Sequence, residues 1–222
     1  MAREKGDFSH GKPPNYPKMM EQVLLSLGES RPRLLLHACC APCSSAVLEM
    51  LCGFFDITIL YYNPNIWPAS EYRRRADELH QFVKQAKLPG ITLVEEGYDQ
   101  SEFYTAVAGL EAEPERGGRC TVCYRLRMEH AARYAAEHGF DWFCSTLSIS
   151  PRKDAEKINA IGRELEAKHG VRHLPNEFKR KEGHKRSLEL SAQYGLYRQD
   201  WCGCEFSARG SAPKPEQPAP EK

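Results

Sequence analysis

The sequence lacks an apolar run long enough to cross a membrane, since no stretch approaches the ~18–20 residues that a spanning helix requires. The stretch from Met1 to Asn15 is polar and lacks the apolar core of a secretory signal. An excess of one charge is also absent: the formal net charge of +1 gives no overall preference for nucleic acid, so such contacts must come from local patches. Internal repeats are absent too. The cytoplasm is therefore the expected compartment, and a membrane is not an expected partner.

The 222 residues are enough for a single α/β domain with a sizeable core. Hydrophobic residues make up 41% of the chain and charged residues 27%, which is typical of a soluble globular protein. We expect the domain to span residues 16–206. Residues 1–15 are a predicted disordered lead-in, and residues 207–222 are a predicted disordered tail that is polar and rich in proline.

Short apolar runs alternate along the domain with stretches of helical periodicity. These runs predict strands at Arg33–His37, Asp56–Tyr62, Ile91–Glu95 and Trp142–Thr146. Helices are predicted over residues 16–27, 42–52, 70–87, 101–109, 120–138, 150–168 and 185–194. Residues 171–182 show no clear periodicity. The alternation predicts a parallel, doubly wound sheet with helices on both faces, and ligands bind such sheets beyond the carboxyl ends of the strands.

Nine cysteines carry most of the chemical information in the sequence. In a reducing compartment they are poor candidates for structural disulfides, so metal ligation or catalytic redox chemistry is favoured. Seven of them fall into three tight groups, namely Cys39, Cys40 and Cys43; Cys120 and Cys123; and Cys202 and Cys204. The single Cys52 and Cys144 lie in apolar surroundings and are interpreted as ordinary buried thiols.

Cys120 and Cys123 open a predicted helix, whose N-terminus lowers thiol pKa values and so favours the thiolate. Their spacing suits a zinc half-site, a redox pair or two ligands of an iron–sulfur cluster. The adjacent Cys39 and Cys40 favour the cluster, because structural zinc sites prefer cysteines separated by two to four residues. These four cysteines would supply the thiolates of a [4Fe–4S] cluster, with zinc as the alternative.

The remaining grouped cysteines differ in character. Cys43 has three open interpretations: a ligand of a second metal, a spare thiol beside the cluster, or a packed thiol on the following helix. A disulfide between Cys202 and Cys204 would close a small strained ring, which is readily reduced, and Gly203 supplies the backbone freedom for that closure. The pair therefore suits the passing of electrons, with metal binding or inert thiols as the alternative.

Clusters of cations offer candidate phosphate contacts in an otherwise balanced chain. Arg152 and Lys153 follow Ser150-Pro151 at a predicted helix N-terminus, a natural position for an anion. A denser patch within residues 179–186 adds Lys179, Arg180, Lys185 and Arg186. The run of three arginines at residues 73–75 is interpreted as a solvated helix face.

Five motifs occur in order between residues 33 and 206. They are His37–Cys43 (HACCAPC), Tyr62–Ile66 (YNPNI), Arg119–Arg127 (RCTVCYRLR), Ser145–Pro151 (STLSISP) and Tyr194–Cys204 (YGLYRQDWCGC). Together they resemble the QueH-type epoxyqueuosine reductases. The resemblance implies the last step of queuosine synthesis, a two-electron reductive removal of the epoxide oxygen of epoxyqueuosine at the wobble position of tRNAs with GUN anticodons.

The same resemblance implies a fold similar to the adenine nucleotide α-hydrolases, which is a Rossmann-like sheet. The implied cluster ligands are Cys39, Cys40, Cys120 and Cys123. A redox-active disulfide carries over to Cys202 and Cys204. The family further implies an additional iron beside the cluster, an external electron donor and no cobalamin. Some members carry Asp where this chain has Cys43, so the donors to that iron stay open, with Cys43 as one candidate.

Candidate proton donors to the leaving oxygen are Asp200, Tyr124 and His37, on their nearness to cysteines in the sequence alone. Two other classes of function compete with the reductase. One is a zinc-stabilised RNA-binding module, which predicts a colourless protein that contains zinc. The other is a thiol–disulfide or sulfur-transfer enzyme acting on tRNA through Cys202 and Cys204, whose activity would survive the loss of Cys120 and Cys123.

Overall fold

The short apolar runs of the sequence form a sheet in the computed structural model, which describes residues 14–208. Five strands lie at β1 (Arg33–His37), β2 (Asp56–Tyr61), β3 (Ile91–Glu95), β4 (Trp142–Ser145) and β5 (Arg172–His173). The helices lie at α1 (Tyr16–Ser26), α2 (Ala41–Leu51), α3 (Ala69–Ala86), α4 (Gln100–Ala106), α5 (Gly118–Glu137), α6 (Ala155–His169), α7 (Gly183–Gln193) and α8 (Glu205–Ala208). A 3₁₀ turn at Thr146–Ile149 follows β4.

All five strands are parallel, in the order β3-β2-β1-β4-β5. Alternate residues of β1 face opposite layers, as the pleat requires. Leu34 and Leu36 pack into a core with α2 and α3, whereas Leu35 packs into a second core with α5 and α6. Helices on both faces of a parallel sheet confirm the predicted doubly wound, Rossmann-like α/β domain.

The chain grows outward from β1 to β3 and then returns to place β4 beside β1. At this switch point the loops after β1 and β4 part, which leaves a crevice beyond their carboxyl ends. His37 and Ser145 end the two strands, and His37 Nδ1 lies 2.8 Å from Ser145 Oγ. His37 Nε2 donates to the Tyr62 carbonyl oxygen at 3.0 Å, so Nδ1 accepts from the serine hydroxyl. Burial lowers the pKa of His37 to about 3, and the ring is neutral.

One prediction about the second half of the chain is wrong. The helix predicted to start at Ser150-Pro151 begins at Ala155, because the 3₁₀ turn follows β4 and Asp154 then caps α6. The Asp154 carboxylate accepts from two backbone N–H groups of the first turn, so this helix N-terminus already holds an anion. The region without periodicity contains β5, which has two residues and is too short to show an alternating pattern.

The predicted lead-in and tail lie outside the described residues, apart from two residues at each end. Asn15 caps α1 by accepting from the N–H of Lys18 at 3.1 Å. Ser207 and Ala208 belong to α8, and the domain bounds of 16–206 stay a prediction. No helix within residues 14–208 is long and apolar enough to cross a membrane.

Candidate metal centre and active site

The turn after β1 brings three thiols together at the switch point. The Sγ atoms of Cys39 and Cys40 lie 3.8 Å apart. Cys43 joins them from the first turn of α2, and all three sulfurs lie within 4.8 Å of one another. Among residues 14–208, no other group of three or more potential metal ligands is gathered so closely. The structure thus places Cys43 with the adjacent pair.

These three thiols hold their protons unequally. Hydrogen bonds from Cys40 and Cys43 hold the pKa of Cys39 well below its ordinary value. The bond with Cys39 raises the pKa of Cys40 well above its ordinary value and that of Cys43 to about 12. Because like charges this close repel each other, the thiolate form is favoured at Cys39 and disfavoured at Cys40 and Cys43. Since metals bind thiolates, metal binding here releases protons.

The second cysteine group lies in the first turns of α5. Cys123 is buried, and the half-buried Cys120 accepts from the backbone N–H of Arg116 at 3.2 Å. Burial raises the pKa values of both thiols. The shift is therefore opposite to the predicted lowering, because desolvation outweighs the hydrogen bond from Arg116 and the nearby positive charges.

The third group is poised for dithiol chemistry. The Sγ atoms of Cys202 and Cys204 lie 3.3 Å apart, and Ser207 Oγ lies 3.2 Å from the Cys202 sulfur. The hydrogen bond between the two sulfurs lowers the pKa of Cys202 well below its ordinary value and raises that of Cys204. Gly203 between them has φ +102°, a conformation that favours glycine. A thiolate beside a thiol is the form that undergoes disulfide exchange.

Two cavities with shared lining residues connect the three groups. The larger cavity, of about 230 Å³, is lined by sulfurs of the first and third groups, Cys39, Cys43 and Cys202. The narrower cavity is lined by sulfurs of the second and third groups, Cys120, Cys123, Cys202 and Cys204. Cys202 and Lys153 line both cavities. The Cys202 and Cys204 group therefore lies between the other two groups.

Cations surround the sulfurs. Arg127 is 3% exposed, and its Nη1 donates to Asn63 Oδ1 at 3.3 Å. Asn63 in turn donates to the Ala38 carbonyl oxygen at 2.8 Å, which ties α5 to the cysteine turn. Burial lowers the pKa of Lys153, but the nearby sulfurs of Cys39, Cys43 and Cys202 raise it by more. The net pKa of Lys153 therefore lies above its ordinary value. Lys153 is thus an ammonium ion facing the cysteines.

The residues present fit a thiolate-ligated iron–sulfur group. Six cysteines line the two cavities and the buried Cys40 lies beside Cys39 and Cys43, so more sulfurs gather here than the four ligands of a structural zinc ion. Cysteine thiolates are the usual ligands of iron–sulfur clusters. The buried Arg127 and the Lys153 ammonium supply the positive charge that offsets several thiolates in a poorly solvated site.

Comparison with known proteins decides the family. The family model described as "Epoxyqueuosine reductase QueH" matches residues 34–210. The chain belongs to the QueH family. Its predicted class, an oxidoreductase enzyme of queuosine tRNA processing, is thereby confirmed.

Curated relatives named epoxyqueuosine reductase QueH cover most of the chain. The protein of Streptococcus pyogenes serotype M1 is 42% identical over 200 residues, 88% of this chain and 78% of that protein. The Haemophilus influenzae protein is 41% identical over 202 residues, 90% of this chain and 80% of that protein. Among solved structures, the U34-tRNA thiolase NcsA from Methanococcus maripaludis with its [4Fe–4S] cluster gives a TM-score of 0.49 at 14% identity, over 86% of this chain and 67% of that chain.

For a QueH enzyme a tRNA substrate is expected, and the structure divides the predicted phosphate contacts. Lys153 faces the sulfurs, whereas Arg152 is exposed and donates to the Asp200 carbonyl oxygen. The cations of residues 179–186 are each ion-paired: Lys179 and Arg180 with Glu177, Lys185 with Glu182, and Arg186 with Glu49 and Glu189. Phosphate binding by these residues stays a prediction.

The three candidate proton donors differ in their access to the cavities. His37 is fully buried and lines neither cavity, whereas Asp200 lines the larger one and Tyr124 the narrower one. Burial raises the pKa of Tyr124. Of the two single cysteines, Cys144 is buried as expected, but Cys52 is only half-buried.

Two cations that line the cavities, Arg127 and Arg75, were not expected there. Arg127 stands one helical turn after Cys123, a spacing that could have indicated a shared face. Arg75 was expected on a solvated face but is 1% exposed, and it lines the larger cavity. Nothing in the run of three arginines distinguishes Arg75 from its neighbours.

Proposed function

We propose that this chain converts epoxyqueuosine to queuosine at the wobble position of tRNA, using a [4Fe–4S] cluster and a redox-active cysteine pair. The proposed cluster ligands are Cys39, Cys40, Cys120 and Cys123, and the proposed pair is Cys202 and Cys204. One observation carries the proposal: Cys202 lines both the cavity of the first cysteine group and the cavity of the second. The proposed setting is the cytoplasm, and no cobalamin is required.

The reaction sets the electron count. Removal of the epoxide oxygen consumes two electrons and two protons and yields an alkene and water. A bound cluster supplies single electrons. Oxidation of the Cys202–Cys204 dithiol to the disulfide releases two electrons and two protons, and an external reductant restores the dithiol.

The side chains around the larger cavity have separate proposed roles. The Lys153 ammonium donates a hydrogen bond to the epoxide oxygen and stabilises the negative charge that develops there. Asp200 and Tyr124 are the proposed proton sources, because both line the cavities. Cys43 is the proposed donor to an additional iron ion, because its sulfur lies within 4.8 Å of both Cys39 and Cys40.

The rim of the larger cavity suits a nucleotide that enters from tRNA. Arg152 and Arg198 are exposed there, where they can contact backbone phosphates while the modified base enters the cavity. The proposed outer contacts are Lys179, Arg180, Lys185 and Arg186. The ion pairs of Lys185 and Arg186 are exposed, so exchange of a carboxylate for a phosphate costs little there, whereas Lys179 and its partner Glu177 are partly buried.

Anaerobic purification with iron and sulfide analysis, followed by an assay on epoxyqueuosine-containing tRNA with a strong reductant, tests the proposal. We expect Cys39→Ala and Cys120→Ala to lose iron, sulfide and activity together. The matched control is Cys144→Ala, because Cys144 is buried in β4 and lines neither cavity. A colourless, zinc-containing protein that stays inactive after reconstitution would contradict the proposal.

A further inference from the structure

The Cys202-Gly203-Cys204 segment is hydrogen-bonded to α3 and to the loop that joins β2 to α3. Arg75 Nη1 donates to the Cys202 carbonyl oxygen at 3.3 Å. The backbone N–H of Trp67 donates to the Gly203 carbonyl oxygen at 2.8 Å. Two consecutive carbonyl groups of the redox pair are thus fixed by donors outside the segment.

Arg75 itself is rigidly placed. Its side chain is 1% exposed, and its Nε donates to Glu71 Oε1 at 2.7 Å, one helical turn earlier in α3. The guanidinium carbon lies 5.4 Å from the centre of the Trp201 ring, the residue just before the pair. A planar guanidinium can bond a carboxylate and a carbonyl at once, which a lysine ammonium on a flexible stem does less well.

Gly203 packs directly on this support. A Cβ atom at Gly203 would lie 2.9 Å from Arg75 Nη1 and 3.1 Å from Ile66 Cγ1. The Ile66 backbone cannot easily yield, because its carbonyl oxygen accepts from Tyr98 at 2.6 Å and from Gln100 at 2.9 Å. The turn that sets the two sulfurs 3.3 Å apart therefore rests on a fixed surface.

We propose that Arg75 is a positioning residue for the Cys202–Cys204 pair, and that by clamping the Cys202 carbonyl it shifts the equilibrium between dithiol and disulfide toward the disulfide. The inference rests on the redox role proposed above for this pair. A clamped turn keeps the thiols close in the reduced protein, so ring closure loses less conformational freedom. Without the clamp the reduced segment gains freedom, and closure becomes less favourable.

Glutathione provides a balanced measurement of this equilibrium. The dithiol and one glutathione disulfide give the protein disulfide and two glutathione thiols, so two electrons and two protons pass to glutathione. Trypsin releases residues 199–209, a peptide that contains Cys202 and Cys204 and no other cysteine. Alkylation of the full chain in graded glutathione buffers, followed by mass spectrometry of this peptide, gives the equilibrium constant.

The test variant is the double change Glu71→Gln with Arg75→Met, which leaves no unpaired buried charge. We expect its equilibrium constant for disulfide formation to fall about tenfold, which corresponds to about 30 mV for a two-electron couple. Arg75→Lys keeps the charge without the planar fork and should show most of the same loss. The control Arg73→Met removes an exposed arginine of the same helix, paired with Glu95 and Asp77, and should leave the constant unchanged.

Each outcome has a defined meaning. Folding of each variant is checked by its thermal transition. The positioning role would be overturned if the equilibrium constant for disulfide formation were unchanged or increased in the folded double variant. It would also be overturned if Arg75→Lys had the wild-type constant. Either result would leave the reductase proposal intact. Wild-type protein that forms no Cys202–Cys204 disulfide in the most oxidising buffer would overturn the redox role of the pair, and the inference with it.

Discussion

Asn63 donates its side-chain amide to the carbonyl oxygen of Ala38 at 2.8 Å, and this bond ties the loop after β2 to the cysteine turn after β1. Asn63 is 1% exposed, and its Oδ1 accepts from Arg127 of α5 at 3.3 Å. One amide therefore joins the loops after two neighbouring strands to the helix that carries the second cysteine group. We expect the spatial relation of the cysteine groups to depend on this buried contact.

Asn63→Asp should lower both stability and iron content. The carboxylate can still accept from Arg127, but it cannot donate to the Ala38 carbonyl oxygen, which is left buried without its donor. Loss of such a bond costs about 1–3 kcal/mol of unfolding free energy. We expect reconstituted protein to hold less than half the iron and sulfide of the wild type, measured by chemical analysis beside a urea unfolding curve.

The control is Asn159→Asp. Asn159 is equally buried and donates its amide to the Ala155 and Asn176 carbonyl oxygens at 2.7 Å, on α6 and the segment after β5. This variant should lose a similar unfolding free energy and keep its iron. Full iron content in Asn63→Asp would show that the contact with Ala38 does not organise the metal centre.

Much of the fold could be predicted because local pattern decides it. The bounds of β1 and β3 agree with the apolar runs, since each run is short and is followed by a turn. The start of α6 could not be predicted, because Ser150-Pro151 and Asp154 are both acceptable starts, and the side chain of Asp154 caps the helix in the structure. Strand β5 has two residues and gains its pairing from β4 alone.

The grouping of the cysteines at the candidate site could be predicted from the sequence, whereas the positions of the charged side chains could not. Thiols that lie close in the sequence lie close in space, as Cys202 and Cys204 do. Arg75 was expected on a solvated helix face, because charged side chains are usually solvated, and Lys153 was expected to contact phosphate at a helix N-terminus. The position of Arg75 beside the sulfurs depends on contacts between distant segments, such as its bond to the Cys202 carbonyl oxygen.

Gly203→Ala should disable the redox pair with a limited cost in stability. The new methyl group would need a left-handed backbone at φ +102° and would meet the Arg75 guanidinium at 2.9 Å. We expect a loss of about 1–2 kcal/mol in unfolding free energy, and at least a tenfold loss of reductase activity on epoxyqueuosine-containing tRNA. The control Gly97→Ala has open space and no left-handed backbone, so activity should be retained. Equal activity in the two variants would argue against a role for the Gly203 turn.

His173→Phe should make the protein less sensitive to acid. Burial lowers the pKa of His173 to about 3, against an ordinary value of 6.5. As the pH falls below 6.5, the unfolded chain takes up a proton that the folded chain refuses until about pH 3, so stability is lost across that window. The ring also has an unpartnered buried Nε2, which phenylalanine removes. Between pH 7 and pH 5 the wild type should lose about 2 kcal/mol more than the variant.

Urea unfolding at the two pH values measures this difference. The control is Phe143→Leu, because Phe143 packs against the His173 ring at 5.2 Å between centroids and does not titrate. Its stability loss should be the same at both pH values, relative to the wild type. The same pH dependence in His173→Phe as in the wild type would assign the acid sensitivity to other groups, of which the buried His37 is one.

Arg152→Ala should weaken tRNA binding more than Arg186→Ala. Arg152 lies exposed at the rim of the larger cavity, whereas Arg186 lies further along the surface and is bonded to both Glu49 and Glu189. Each lost phosphate contact lowers the slope of log K against log salt by about 1. We expect that change for Arg152 and a smaller one for Arg186, in titrations of tRNA over a range of salt concentrations.

Lys168→Ala is the control, since Lys168 lies in the last turn of α6, which leads to the amino end of β5, away from the cavity edge of the sheet. An equal loss of binding in all three variants would indicate a diffuse electrostatic effect and no phosphate contact at the rim.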